Sequence, residues 1–222
     1  MKLGICSDTH GCATPAFDAA SVSAVLHAGD LYDAAGSRRD LLNDPLRPWL
    51  AECAAPVFLV RGNHDYWDHL EMFERYHDVT GRVRAIAPRL FVAGVGFSRR
   101  RYYDLPGETD LQPVCHEVVR SARQLTGTSD RIVLLTHYPA KYPAIYPAEE
   151  GPLGWAFDCV RELIEELRPI AVVQGHVHEW FGQTHAVEVS GCQVLLLHPG
   201  PLGGILQINA GSGDASYAAA SA

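Results

Sequence analysis

Five short apolar runs punctuate the chain, and each ends in polar residues of a narrow kind. Leu3–Cys6 runs into Ser-Asp-Thr-His, Ala24–His27 into Ala-Gly-Asp, and Val57–Val60 into Arg-Gly-Asn-His-Asp. Ile132–Leu135 leads to Thr-His-Tyr-Pro, and Ile170–Val173 to Gln-Gly-His-Val-His. Each run has the length of a buried strand. Between them lie stretches patterned as helices, at about 38–53, 66–77, 108–125 and 154–167. In the last, Trp155, Val160, Leu163, Ile164 and Leu167 are spaced to share one helix face, and Pro169 closes it. Alternating strand and helix predicts an α/β domain.

The pattern changes near Val83–Phe97 and again from Phe181 to Asn209. Strand candidates then follow one another with no helix between: Arg89–Val95, Thr184–Val189, Cys192–Leu197 and Gly204–Ile208. They add antiparallel or mixed sheet. At 222 residues the chain reads as one domain over 1–210, large enough to bury a core without staples. The Gly/Ser/Ala-rich tail, 211–222, is expected to be disordered. A long loop from Tyr138 to Pro152 holds the pairs Tyr138-Pro139, Tyr142-Pro143 and Tyr146-Pro147. It can cover a site and stack a flat group, or serve as a dimer contact or a plain connection.

Composition narrows the class. Apolar residues make up 47% and charged residues 20%, the balance of a soluble globular protein. No apolar run approaches the ~20 residues of a membrane span, and the start, MKLGICSDTH, lacks the apolar stretch of a signal peptide. The net charge of −8 argues against nucleic acid as a partner. The six cysteines stand singly, with no C-x-x-C, and read as buried or semi-buried free thiols of a cytoplasmic protein. Arg99, Arg100 and Arg101 form the one basic cluster. It reads first as a solvated charge run, and alternatively as a forked phosphate contact.

The chemistry collects at the strand ends: Asp8, His10, Asp30, Asn63, His64, His137, His176 and His178. In α/β sheets, ligands gather outside the carboxyl ends of strands. Singly, such residues are helix caps, turn formers or satisfied histidines. That is the reading for His69, His77, His116 and His185, which lie outside any motif. Together four His, two Asp and an Asn among them are too many donors for one ion, so two divalent metals are expected. Mixed His, Asp and Asn ligands suit Mn, Fe, Zn or Ni.

The ordered blocks Asp8-x-His10, Gly29-Asp30, Gly62-Asn63-His64-Asp65, Thr136-His137 and Gly175-His176-x-His178 resemble those of the calcineurin-like metallophosphoesterase superfamily. The resemblance implies a two-sheet β-sandwich of mixed strands flanked by helices, a four-layer α-β-β-α fold. It implies that Asp8, His10 and His178 bind one metal, that Asn63, His137 and His176 bind the other, and that Asp30 bridges both. It further implies in-line attack on phosphorus by a hydroxide between the metals. His64 would protonate the leaving oxygen, with Asp33 orienting it by a hydrogen bond. His27 would lend buried support near the site. His198 reads as a strand-end turn residue, and Asp65 as a structural turn or cap.

Two departures weigh against a protein serine/threonine phosphatase. Ala34 stands where those enzymes carry a phosphate-gripping Arg, and Asp65 where they tend to have Glu. The expected activity is hydrolysis of a small-molecule phosphodiester, with manganese among the candidate metals. The alternatives are a phosphomonoesterase and, from another class, a protein-binding scaffold on the same fold. Substrate identity and oligomeric state stay open.

Overall fold

Alternate residues of the apolar runs face opposite layers, and this alternation builds the molecule. The computed structural model of the protein describes residues 1–32, 46–65, 76–97, 105–125, 127, 130–146, 155–209 and 213–220. Its first sheet has six strands in the order β12-β11-β1-β2-β3-β4. They are β1 (Lys2–Cys6), β2 (Ala24–His27), β3 (Val57–Leu59), β4 (Tyr76–Asp78), β11 (Gly204–Ile208) and β12 (Ala215–Ala219). The second sheet, also of six, runs β5-β6-β7-β8-β10-β9. Its strands are β5 (Val83–Ala87), β6 (Leu90–Val95), β7 (Arg131–Thr136), β8 (Ala171–Gln174), β9 (Thr184–Val189) and β10 (Cys192–Leu197). Strands β1 to β4 run parallel, as do β6, β7, β8 and β10, while β11, β12, β5 and β9 pair antiparallel with their neighbours.

The two sheets face each other across one core. Leu3, Ile5, Leu26 and Phe58 of the first meet Val92, Val133, Leu135 and Val173 of the second. The residues between point outward. Ile132 and Leu134 of β7 pack with Leu111, Val118, Val160 and Ile164 from helices α2 (Glu108–Leu125) and α3 (Asp158–Leu167). Val25 and Val57 pack outward with Phe17, Cys53 and the partly buried Trp49, which belongs to helix α1 (Leu46–Glu52). The layers are thus helix, sheet, sheet, helix, as expected. Fully burying one such Val or Leu contributes about 1.5–3 kcal/mol.

Several local expectations are corrected. Tyr76 and His77, read as the end of a helix, lie in edge strand β4, where pairing with β3 decides the conformation; residues 66–75 lie outside the described set. Helix 154–167 starts only at Asp158, and Arg168 ends it in a left-handed cap at φ 48° before Pro169. Of the stretch 38–53, the helix described is α1. All six cysteines are free, but Cys12 and Cys192 are exposed rather than buried.

The tail is not featureless. Residues 215–219 form β12, paired antiparallel with β11 from Gly204↔Ala219 to Ile208↔Ala215. The Tyr217 hydroxyl donates to the Gly203 carbonyl at 3.3 Å, and its ring packs on the core between the sheets. Small residues mask this strand in the sequence, because a single aromatic does the packing. A chain ending at Asn209 should therefore melt lower by roughly 3–8 °C. A melting temperature unchanged within about 1 °C would show that the strand adds nothing.

Candidate metal centre

Both sheets deliver polar residues to one edge. In the first sheet, β1 leads to Asp8 and His10, β2 to Asp30, and β3 to Asn63 and His64. In the second, β7 leads to His137 and β8 to His176 and His178. Turning these side chains inward straight off a strand demands unusual backbone. Asp8, His10, Asp30 and His176 all have positive φ, at 52°, 49°, 55° and 70°. Each non-glycine residue held so costs on the order of 1–3 kcal/mol, a cost typical of functional sites. The glycines of the motifs answer to crowding. A Cβ on Gly62 would lie 2.1 Å from Asp30 Oδ1, and one on Gly29, itself at φ +91°, 2.5 Å from His137 Nδ1.

Three sets of ligand atoms lie within 4.8 Å of one another: Asp8, His10 and His178; His10, Asp30 and His64; Asp8, Asp30 and His137. His137 Nε2 stands 3.3 Å from Asp30 Oδ2, 3.1 Å from Asn63 Oδ1 and 3.2 Å from His176 Nδ1. His178 Nε2 is 3.6 Å from Asp8 Oδ1, and His10 Nε2 is 4.0 Å from Asp30 Oδ2. Asn63 joins the cluster through that contact with His137.

The electrostatics favour a cation. Burial pushes the His176 ring down to about 3 and lowers His10 as well, so both imidazoles are neutral at pH 7. Their Nε2 atoms are nevertheless buried with no hydrogen-bond partner. Such orphaned groups are costly. Burial opposes charge on Asp30 and His137 alike, yet the pair outweighs it: His137 rises to about 9 and the Asp30 carboxyl is held well below its usual range. The Nδ1 of His137 donates to the Ala28 carbonyl at 2.9 Å, which aims Nε2 into the cluster. The nearby Asp8 carboxylate raises His178. Carboxylate oxygens and neutral imidazoles around unpartnered nitrogens fit a divalent transition metal.

The sequence pattern of calcineurin-like phosphoesterases matches residues 1–180. The chain belongs to the calcineurin-like phosphoesterase family. It is, at that level, a metal-dependent phosphoester hydrolase. No curated protein matches it by sequence. Among solved structures it is similar to TT1561 of Thermus thermophilus, with 16% identity, a TM-score of 0.64 and 99% of each chain covered. It is also similar to GAP50, the anchor in the inner membrane complex of Plasmodium, with 9% identity, a TM-score of 0.53, and 100% of this chain and 89% of that one covered. At such identities the likeness concerns the fold. Among the described residues no helix is long and apolar enough to cross a membrane.

All eight strand-end residues of this phosphoesterase thus meet at one place. Asp33, Arg99, Arg100 and Arg101 lie outside the described residues, as does the stretch 147–152 of the Tyr-Pro loop. The described part of that loop is no flap. Tyr138 is buried edge-on against His137, and its hydroxyl donates to the Phe97 carbonyl at 2.9 Å. Tyr146 is buried and stacks on Trp180, with ring centroids 3.9 Å apart, at the end of the short turn His178–Trp180.

The Tyr146 hydroxyl lies 2.5 Å from His198 Nε2, and the Gln174 side-chain nitrogen lies 3.1 Å from the same atom. His198 therefore sits at a strand end as expected, but inside a buried network rather than in a plain turn, and burial pushes it down to about 3. Sequence reasoning missed Tyr146, Trp180 and Gln174 as supports of the turn carrying His178. His27 is buried 3.0 Å from the Thr9 hydroxyl, in the supporting place assigned to it.

Asp65 is the principal support. Its Oδ2 accepts from the amides of Asp30 at 2.8 Å and Gly62 at 3.0 Å, and its Oδ1 from Leu31 at 2.9 Å and Tyr32 at 3.3 Å. The carboxylate clamps the loop of Asp30 to the loop of Asn63. Asp65→Ala orphans four amides, and unfolding in urea should show a loss of about 3–5 kcal/mol, partly restored in Asp65→Asn. A loss below about 1 kcal/mol would mean that the clamp is dispensable.

Proposed function

We propose that this phosphoesterase hydrolyses a small-molecule phosphodiester at two divalent cations. Asp8, His10 and His178 would hold one ion, Asn63, His137 and His176 the other, and Asp30 both. The observation that carries this reading is the clustering of ligand atoms from both sheets within 4.8 Å, with the Nε2 atoms of His10 and His176 buried and unpartnered. Bound there, divalent cations supply Lewis acidity, acidifying water and drawing charge from the phosphoryl oxygens. Manganese, iron, zinc and nickel all suit this donor set.

The chain's own residues do the rest. The amide of His64 donates to Asp30 Oδ1 at 2.8 Å, which fixes the rotation of the shared carboxylate. The His64 ring stands perpendicular to His10 with centroids 4.8 Å apart, and it lines a pocket of about 440 Å³ together with Asp30, Asn63, His176 and His178. From there it hands a proton to the leaving oxygen. Asp33 is the residue assigned to orient it, on the resemblance alone.

Charge in the pocket favours a diester over a monoester. Among the described lining residues there is no Lys or Arg, and Glu179 adds a carboxylate. A diester brings one negative charge, which the ions and their two carboxylates can match, whereas a monoester dianion calls for further cationic side chains. The net charge of −8 supports a small molecule over nucleic acid, and the unpaired cysteines support a cytoplasmic setting.

With Mn²⁺ supplied, kcat/KM for a nitrophenyl diester should exceed that for the matched monoester by at least about tenfold, since one poorly matched charge costs that much or more. A monoester preference would overturn the diester reading. His64→Ala should keep both metal ions after desalting and lose ~10²–10⁴-fold in kcat on alkyl esters, less on nitrophenyl esters, which need little protonation. Loss of a metal from this variant would make His64 a ligand instead, a place its proximity to His10 and Asp30 also permits.

A further inference from the structure

Exposed apolar side chains are not spread evenly over this surface. Among the described residues the large exposed hydrophobics are Met1, Leu105, Leu125, Trp155 and Leu202. Two of them line the pocket of the metal centre: Leu105, 39% exposed, and Trp155, 38% exposed and the one aromatic of the set. The remaining lining is polar or ionisable: Asp30, Asn63, His64, His176, His178 and Glu179. A pocket built only to hold phosphate between ions has no use for such a wall, because exposed apolar surface is unfavourable in water.

Each of the two is followed in the chain by buried residues. Leu105 precedes the buried Pro106. Trp155 precedes the buried Ala156 and Phe157. The Phe157 amide donates to the Pro139 carbonyl at 2.9 Å and its carbonyl accepts from the Lys141 amide at 3.1 Å, which ties this segment to the loop just after His137. The indole of Trp155 meets the His176 ring edge-on at 5.3 Å and 66°. Its place beside the metal centre is thus built by neighbouring structure.

We infer that Trp155 and Leu105 form an apolar subsite of this pocket, and that the phosphoester it receives carries a flat, non-acidic aromatic group. The inference rests on the phosphoesterase reading above. An indole face takes a flat ring by offset stacking, and a leucine lining the same pocket adds apolar surface. Glu179 in the same pocket repels an organic group that carries its own carboxylate or second phosphate. The volume of about 440 Å³ suits a phosphate plus one or two fused rings.

The test compares two monoanionic, slowly reacting mimics, methyl 1-naphthylphosphonate and methyl methylphosphonate, as ligands of the Mn²⁺-loaded protein by calorimetry. The same two are measured as inhibitors of nitrophenyl diester turnover. The naphthyl compound should bind about tenfold or more tighter in the wild type. That ratio should fall toward one in Trp155→Ala, fall part-way in Leu105→Ala, and be largely kept in Trp155→Phe, which retains a flat ring. Equal binding of the two mimics in the wild type overturns the subsite and leaves the phosphoesterase reading standing. So does a naphthyl advantage that persists in Trp155→Ala. Binding of neither mimic, together with no turnover of the diester, overturns both readings.

Discussion

A single buried carboxylate holds the catalytic edge in shape. Asp65 accepts main-chain amides from both the loop after β2 and the loop after β3. Those bonds offset the left-handed backbone of Asp30 at φ 55°. They also draw Gly62 so close to Asp30 that no side chain fits between. Asp30 then faces two ways, with Oδ1 on the His64 amide and Oδ2 on His137 from the opposite sheet. Asp65 itself is penalised for this. Burial, with Asp30 adding, lifts its pKa to about 7 against the pull of the Gly62 and Tyr32 amides. A cation beside Asp30 would offset the repulsion between the two carboxylates.

Much of this was legible in the sequence. The residues of the centre stand within three positions of the ends of apolar runs, so strand position and chemistry are written close together at Asp8, Asp30, Asn63, His137 and His176. Asp65 could be read as structural because it closes the Gly62-Asn63-His64 turn. Other features have no local signature. The stack of Tyr146 on Trp180 joins residues far apart in the chain, and the burial of His198 depends on both and on Gln174. Strand β12 is hidden by its small residues, because partners rather than pattern define an edge strand. Edge strand β4 likewise begins within a helix-patterned stretch, and its pairing with β3 decides it.

The aromatic residues around the centre divide the work by depth. Tyr138 is buried against the rings of His137 and His176, and Tyr146 is buried behind the turn of His178, stacked on Trp180 and bonded to His198. Trp155 touches the same histidine layer from the open side. Loss of a buried tyrosine therefore loosens the candidate ligands, whereas loss of the surface indole alters what the pocket greets.

The division of the candidate ligands between two sheets has a mechanical meaning. Asp8, Asp30 and Asn63 ride on one sheet, and His137, His176 and His178 on the other. What separates the two groups is the thickness of the apolar filling, set by side chains such as Leu26, Val133, Leu135 and Val173. Close-packed interiors transmit a change of even one methylene. The metal centre is in effect a calliper whose jaws are spaced by hydrocarbon. The width of its bite is set by buried apolar residues of the core.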